Sequence, residues 1–132
     1  MSKYVLDASA LLALLNREPG ARRVEDILPQ SIISAVNLCE TVAKLIDGGM
    51  DPEDARTSIE LINLVVAPFD EALAHKAGML ILDTKKFGLS LGDRACLALG
   101  RELNNIVVTA DQLWSKLKLD VRVEVIRGKS NR

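Results

Sequence analysis

Short runs of β-branched and aliphatic residues recur along the 132-residue chain, each followed by a longer segment of helical periodicity or by a turn. The runs are Tyr4-Val-Leu6, Ser31-Ile-Ile33, Leu64-Val-Val-Ala67, Ile106-Val-Val-Thr109 and Val121 to Ile126. Strands separated by helices are joined by crossovers, which make neighbouring strands parallel and put helices on the sheet faces. The pattern predicts a three-layer α/β/α domain with a mainly parallel central sheet of about five strands.

The intervening segments carry their own boundary signals. Ala8 to Asn16 reads as a helix with Leu11, Leu12, Leu14 and Leu15 on a broad apolar face, broken by Pro19-Gly20. A second short helix runs to Leu28. The next spans Ala35 to Asp47 and stops at Gly48-Gly49. Asp51-Pro52-Glu53-Asp54 opens another: a cap, a proline at the first position, then acids against the helix dipole, continuing to Ile62. Asp70 caps a long helix or helix pair reaching Lys86, Ser90 opens a helix to Asn104, and Gln112 to Lys118 forms a short last one. No repeat or linker divides the chain. The expectation is one domain over residues 1–127 and a polar tail over 128–132.

Composition narrows the function classes. Apolar residues make up 48% of the chain and aromatics 3%, so the core is aliphatic. The formal net charge of -1 lacks the strongly basic balance of proteins that hold nucleic acid by charge alone. A polyanionic substrate would need a local basic patch and a metal. Cys39 and Cys96 have no CxxC or Cys/His spacing, which argues against zinc. Both are expected to be small buried hydrophobes in a reducing compartment. No leader-like basic segment with a cleavage site opens the sequence, and no apolar run approaches the roughly 20 residues needed to span a bilayer. The expected location is cytoplasmic, away from membranes.

Four acids stand at strand ends or helix starts in otherwise apolar surroundings: Asp7, Glu40, Asp93 and Asp111. Each has an ordinary explanation. Asp7 and Asp111 can cap the helices that follow them. Asp93 can complete a capping box with Ser90. Glu40 lies on a polar helix face with Asn37, Thr41 and Lys44 and can pair with Lys44.

Their joint placement carries more. In open α/β sheets ligands bind beyond the carboxyl ends of the strands, where Asp7 and Asp111 stand. Asp93 shares a helical stripe with Cys96, Leu97, Gly100 and Leu103, opposite Arg94, Arg101 and Glu102. A carboxylate on an inward stripe needs a partner, and that stripe holds no cation. Carboxylates converging on one pocket stay ionised together only if a cation neutralises them, so a divalent-metal site is proposed. Ser9 and Thr109 can donate to these acids, and Asn37 stands one turn before Glu40. His75, the only histidine, lies apart from the acids and reads as structural, which disfavours histidine-based catalysis. No glycine-rich phosphate loop is present.

In Val5-Leu-Asp7-Ala-Ser9, Ser34-Ala-Val-Asn37-Leu-Cys-Glu40, Leu89-Ser-Leu-Gly-Asp93-Arg-Ala-Cys-Leu-Ala-Leu and Val108-Thr109-Ala-Asp111-Gln-Leu-Trp114, the chain resembles PIN-domain ribonucleases. Within them it is most similar to VapC-type toxins of toxin–antitoxin pairs, and the resemblance covers essentially the whole chain. It implies that Asp7, Glu40, Asp93 and Asp111 form an acidic pocket for Mg²⁺ or Mn²⁺, supported by Ser9 and Thr109; Asn37, from its place one turn before Glu40, is added as a supporting residue. It also implies a homodimer, a structured RNA substrate and a small VapB-type antitoxin that wraps the toxin.

On this reading water activated at the metal hydrolyses the phosphodiester and leaves a 5′-phosphate and a 3′-hydroxyl. Asp7 and Asp93 would bind metal most directly, with Glu40 and Asp111 completing the site or orienting water. Arg17, Arg22, Arg23, Lys44, Lys85, Lys86 and Lys116 are the candidates for holding flanking phosphates.

The residues leave alternatives open. One is a non-catalytic PIN-like module whose acidic cleft binds a basic peptide. A phosphoacceptor receiver domain also gathers acids and a Thr on an α/β sheet. It needs paired acids near the first strand and a Lys after the last core strand, and neither is found here.

Overall fold

The computed structural model describes residues 1–127; the tail expected from Gly128 onward lies outside the described residues. Five strands form one sheet: β1 (Tyr4–Leu6), β2 (Ser31–Ser34), β3 (Val65–Ala67), β4 (Ile106–Thr109) and β5 (Val123–Val125). Their order is β3-β2-β1-β4-β5, and every pairing is parallel. Tyr4, Val5 and Leu6 stand opposite Ser31, Ile32 and Ile33 on one side and Ile106, Val107 and Val108 on the other.

Alternation along the central strands builds two cores. Val5 and Val107 face one way, into a cluster with Ala77, Leu80, Leu89, Cys96, Leu97 and Trp114. Ala77 comes from α5 (Glu71–Met79) and Cys96 and Leu97 from α7 (Leu91–Leu103), helices that also pack on each other. Leu6 and Val108 face the other way, onto Ala10 of α1 (Ala8–Leu15) and Val24 and Ile27 of α2 (Ala21–Ile27). Helix α3 (Ala35–Asp47) packs against both α1 and α7, and α4 (Pro52–Ile62) packs on α3. A three-layer parallel α/β domain results.

The predicted caps form. Asp7, Asp51, Asp70 and Ser90 each accept a backbone N–H at the start of the helix that follows, and Ser34 does the same for α3. The segment after Asp70 divides into α5 and the one-turn α6 (Ile81–Thr84), followed by a 3₁₀ turn over Lys85–Phe87. Two details differ from expectation. The segment after Asp111 is a 3₁₀ turn, Gln112–Lys116, and the last strand is confined to Val123–Val125.

The strand order reverses between β1 and β4, since the chain leaves β1 toward β2 and leaves β4 toward β5. At this switch point the two outgoing connections diverge and open a crevice at the carboxyl ends. Asp7 directly follows β1 there, and Thr109 ends β4. Among the described residues, no helix is long and apolar enough to cross a membrane.

Candidate active site

Asp7 is the innermost group of the crevice, with 4% of its surface exposed. Its backbone N–H extends the sheet by donating to Val108 O at 3.0 Å. The carboxylate is then held from three directions. Oδ1 accepts from Ser9 Oγ at 2.7 Å and from the Ala10 N–H at 2.8 Å, and Oδ2 accepts from Thr109 Oγ1 at 2.5 Å. Capping and site formation are therefore the same geometry.

Burial pushes the Asp7 carboxyl up from its ordinary 3.8 to about 6, against the lowering effect of those three hydrogen bonds; the charge of Asp93 pushes the same way as burial. No cation enters that balance. The support continues sideways, because Ser9 Oγ accepts from the Ala110 N–H at 2.9 Å and Thr109 Oγ1 from the Asp111 N–H at 3.1 Å.

Asp93 and Glu40 approach from the other side of the switch point. Ser90 and Asp93 form the reciprocal capping box of α7: Ser90 N–H donates to Asp93 Oδ2 at 2.9 Å, and Asp93 N–H to Ser90 Oγ at 3.2 Å. Asp93 is half-buried, and Cys96, Leu97 and Gly100 of its stripe are buried, whereas Leu103 is exposed.

Glu40 reaches α7 across the α3–α7 contact. Asn37 Nδ2 donates both to Glu40 Oε1 at 3.2 Å and to Gly92 O at 3.1 Å, tying the carboxylate to the first turn of α7. Burial raises the Glu40 pKa most, Asp93 raises it further, and Asn37 and Lys44 lower it. The polar face assigned to α3 is turned inward: Asn37 and Thr41 are buried, and Thr41 Oγ1 donates to Asn37 O at 2.8 Å.

Convergence has an internal witness. The buried Cys96 thiol is pushed well above its ordinary value by burial, and then by Asp7, Asp93 and Glu40 in turn. Three carboxylates thus act on one point of α7. Asp111 does not join them. It is exposed, caps its 3₁₀ turn by accepting from the Leu113 N–H at 2.9 Å, and meets the others only through Thr109.

Among the described residues, no group of three or more His, Cys, Asp or Glu side chains is gathered closely enough to hold a metal ion. The donor chemistry still suits a hard divalent cation. All the donors are carboxylate oxygens, the most buried of them is paired with no cation, and the charge of Asp93 raises the pKa of both Asp7 and Glu40. A carboxylate offers roughly four lone-pair sites. The hydrogen bonds to Asp7 fill three, which leaves Oδ2 with capacity for a ligand.

Other expectations resolve individually. Lys85, Lys86 and Lys116 line one cleft, and Arg17 and Lys44 are exposed outside it. Arg23 is committed elsewhere: Nε and Nη2 donate to Glu124 at 2.7 and 3.0 Å, and the guanidinium lies over the Tyr4 ring. Cys96 is buried as expected, but Cys39 is exposed, because it falls on the outer side of α3. His75 is exposed on α5, 3.8 Å from Glu71.

Sequence reasoning missed Gly92. A Cβ there would collide with the Glu40 carboxylate, so the absence of a side chain is what lets Glu40 lie against α7. Its position immediately before Asp93 was the available signal.

A parallel sheet with carboxylates gathered at its switch point defines an α/β domain with an acidic edge. The chain belongs to the PIN domain family, whose model matches residues 4–119. Solved structures agree in fold. A DNA-bound VapBC from Salmonella typhimurium aligns with a TM-score of 0.76 at 20% identity, over 96% of this chain and 100% of that one. VapC20 of Mycobacterium tuberculosis, described as a toxin cleaving the sarcin–ricin loop, gives 0.73 at 20% identity, over 90% and 98%. VapBC-1 from nontypeable Haemophilus influenzae gives 0.71 at 22% identity, over 93% and 97%. No curated protein matches the sequence.

Proposed function

We propose that this PIN domain is a Mg²⁺- or Mn²⁺-dependent endoribonuclease acting in the cytoplasm as the toxin of a toxin–antitoxin pair. One observation carries the reading. Asp7 is a buried carboxylate at the sheet's switch point, its charge raised in energy by burial and Asp93 and offset by no cation. The cap alone would be served by a neutral Ser or Asn without the cost of a buried charge, whereas a cation site requires the carboxylate.

Asp7 and Asp93 would hold the ion, with Glu40 presented by Asn37 and Gly92 and with Asp111 at the rim. Bound there, Mg²⁺ or Mn²⁺ would supply positive charge for the phosphodiester and lower the pKa of a ligated water. The chain's own part is positioning. Ser9, Thr109 and the Ala10 N–H fix the Asp7 oxygens, and the capping box fixes Asp93.

A small VapB-type antitoxin as partner is supported by fold neighbours solved as VapBC complexes, and a homodimer is proposed alongside it. Purified protein freed of partner is expected to cut a structured RNA with Mg²⁺ or Mn²⁺ and not with EDTA. The cut should leave 5′-phosphate and 3′-hydroxyl ends. Residual cutting by Asp7→Asn and Asp93→Asn equal to the parent would sink the assignment of those residues. Metal-independent binding of a basic peptide, with no RNA cut, would instead favour the interaction module.

A further inference from the structure

Away from the acids, a cleft of about 690 Å³ is lined by Lys85, Lys86, Lys116 and Lys118, with Leu82, Phe87 and a single acid, Asp83. Two stretches distant in sequence build it. One is the 3₁₀ turn Lys85–Phe87 after α6, and the other is the end of Gln112–Lys116 with the residues that follow. All four lysines are exposed. Among the described residues, the ion pairs engage Arg23, Arg56, His75, Lys76, Arg101 and Arg127, and none engages these lysines.

Four ammonium groups in one cleft repel one another. The chain bears that cost here with one acid, Asp83, in the lining. The uncompensated charge suits a polyanion. Lys86 Nζ lies 5.3 Å from the centre of the Phe87 ring, and Leu82 is 88% exposed at the cleft. Cations beside apolar and aromatic surface match phosphates alternating with bases better than they match a carboxylate chain.

Continuity with the acidic edge supports the same ligand. Lys116 also lines a neighbouring cleft of about 410 Å³ that contains Asp111 and Arg127. The two clefts therefore adjoin at Lys116, and the second contains Asp111, the acid that follows β4.

We propose that this cleft holds the single-stranded flank of the RNA, binding several consecutive phosphates while the scissile bond lies at the acids. The identity of the strand rests on the ribonuclease reading; the cleft's affinity for it does not depend on catalysis.

The test is fluorescence anisotropy of a labelled single-stranded RNA with full-length protein in EDTA, titrated over a range of salt. The comparison is with a Lys85→Gln/Lys86→Gln/Lys118→Gln variant and with an Arg56→Gln/Arg122→Gln control of matched thermal stability. Each phosphate contact contributes roughly -0.7 to the log–log salt slope for single strands, so the triple variant should be shallower by about 2. It should also bind at least tenfold more weakly, while the control binds like the parent. Equal affinity and slope in parent and triple variant would overturn the proposal, as would tighter binding of poly-glutamate than of RNA. If cleft-dependent binding is found and no RNA is cut with Mn²⁺, the nuclease reading fails and the cleft assignment stands.

Discussion

Thr109, at the end of β4, donates its hydroxyl to Asp7 Oδ2 across 2.5 Å, so the carboxylate that follows β1 is held by the neighbouring strand. The same hydroxyl accepts from the Asp111 N–H. Thr109→Val keeps the shape and removes both bonds, leaving a buried carboxylate short of a donor. The expected destabilisation is about 1–3 kcal/mol at neutral pH, with Thr109→Ser recovering most of it. Urea denaturation of the three proteins measures this. A Thr109→Val midpoint equal to the parent's would mean that the bond contributes nothing net.

The raised pKa of Asp7 makes a signed prediction for the metal-free protein. Its ordinary value is 3.8 and its folded value about 6. Below the lower value the group is protonated folded or unfolded, and folding suffers no penalty. Between the two, the unfolded chain ionises while the fold resists. Above the upper value the folded state carries the whole cost, on the order of 3 kcal/mol. Stability from this group is therefore lost as pH rises from about 4 through 6. In EDTA at pH 7, Asp7→Asn should be more stable than the parent, with the difference vanishing near pH 4. Mg²⁺ should raise the melting temperature of the parent and leave that of Asp7→Asn unchanged.

Much of this was legible in the sequence because strong local signals and tertiary demands coincide. Val5-Leu6 and Val107-Val108 alternate between two cores, as the β-runs imply, and Ser90 with Asp93 forms the box its spacing suggests. What the sequence hid depends on which way a helix is rotated. Asn37 and Thr41 look like a solvated face, yet α3, packed on both α1 and α7, buries them, and Asn37 reaches Gly92 of α7. Rotated that way, α3 carries Cys39 outward and Glu40 onto Gly92. The separation of Asp111 from the other acids was equally hidden, since a strand-end position fixes where a backbone is but not where its side chain turns.

Gly92 gives a test of that packing. Gly92→Ala places a methyl group against the Glu40 carboxylate and must push it away from α7. Helix propensity favours the alanine, so the fold should persist with stability within about 1 kcal/mol of the parent. RNA cleavage should fall by roughly 10–100-fold, as for loss of a group that orients metal ligands. In Glu40→Ala the added methyl should cost little further activity, because the side chain it displaces is already gone. Gly100→Ala is the contrasting case. Its methyl meets the Val107 side chain in the core, so stability should fall by about 1–3 kcal/mol. Cleavage per folded molecule should be unchanged.

Asp111 is the acid whose ordinary role can be separated from its proposed one. Its carboxylate accepts from the Leu113 N–H, a cap that Asn provides about equally well. Asp111→Asn should therefore leave thermal stability unchanged and test charge alone. Asp7 and Asp93 face each other electrostatically, whereas Asp111 is exposed and reaches them only through Thr109. The expected order of damage to Mn²⁺-dependent cleavage is thus Asp7→Asn and Asp93→Asn first, with activity abolished. Glu40→Gln follows, and Asp111→Asn loses roughly 10–100-fold. Rates measured across a Mn²⁺ titration distinguish the roles, because a rim residue that helps bind the ion is partly rescued by excess metal. If Asp111→Asn is as inactive as Asp7→Asn at every Mn²⁺ concentration, then Asp111 turns inward when the ion binds, and it belongs with the other three.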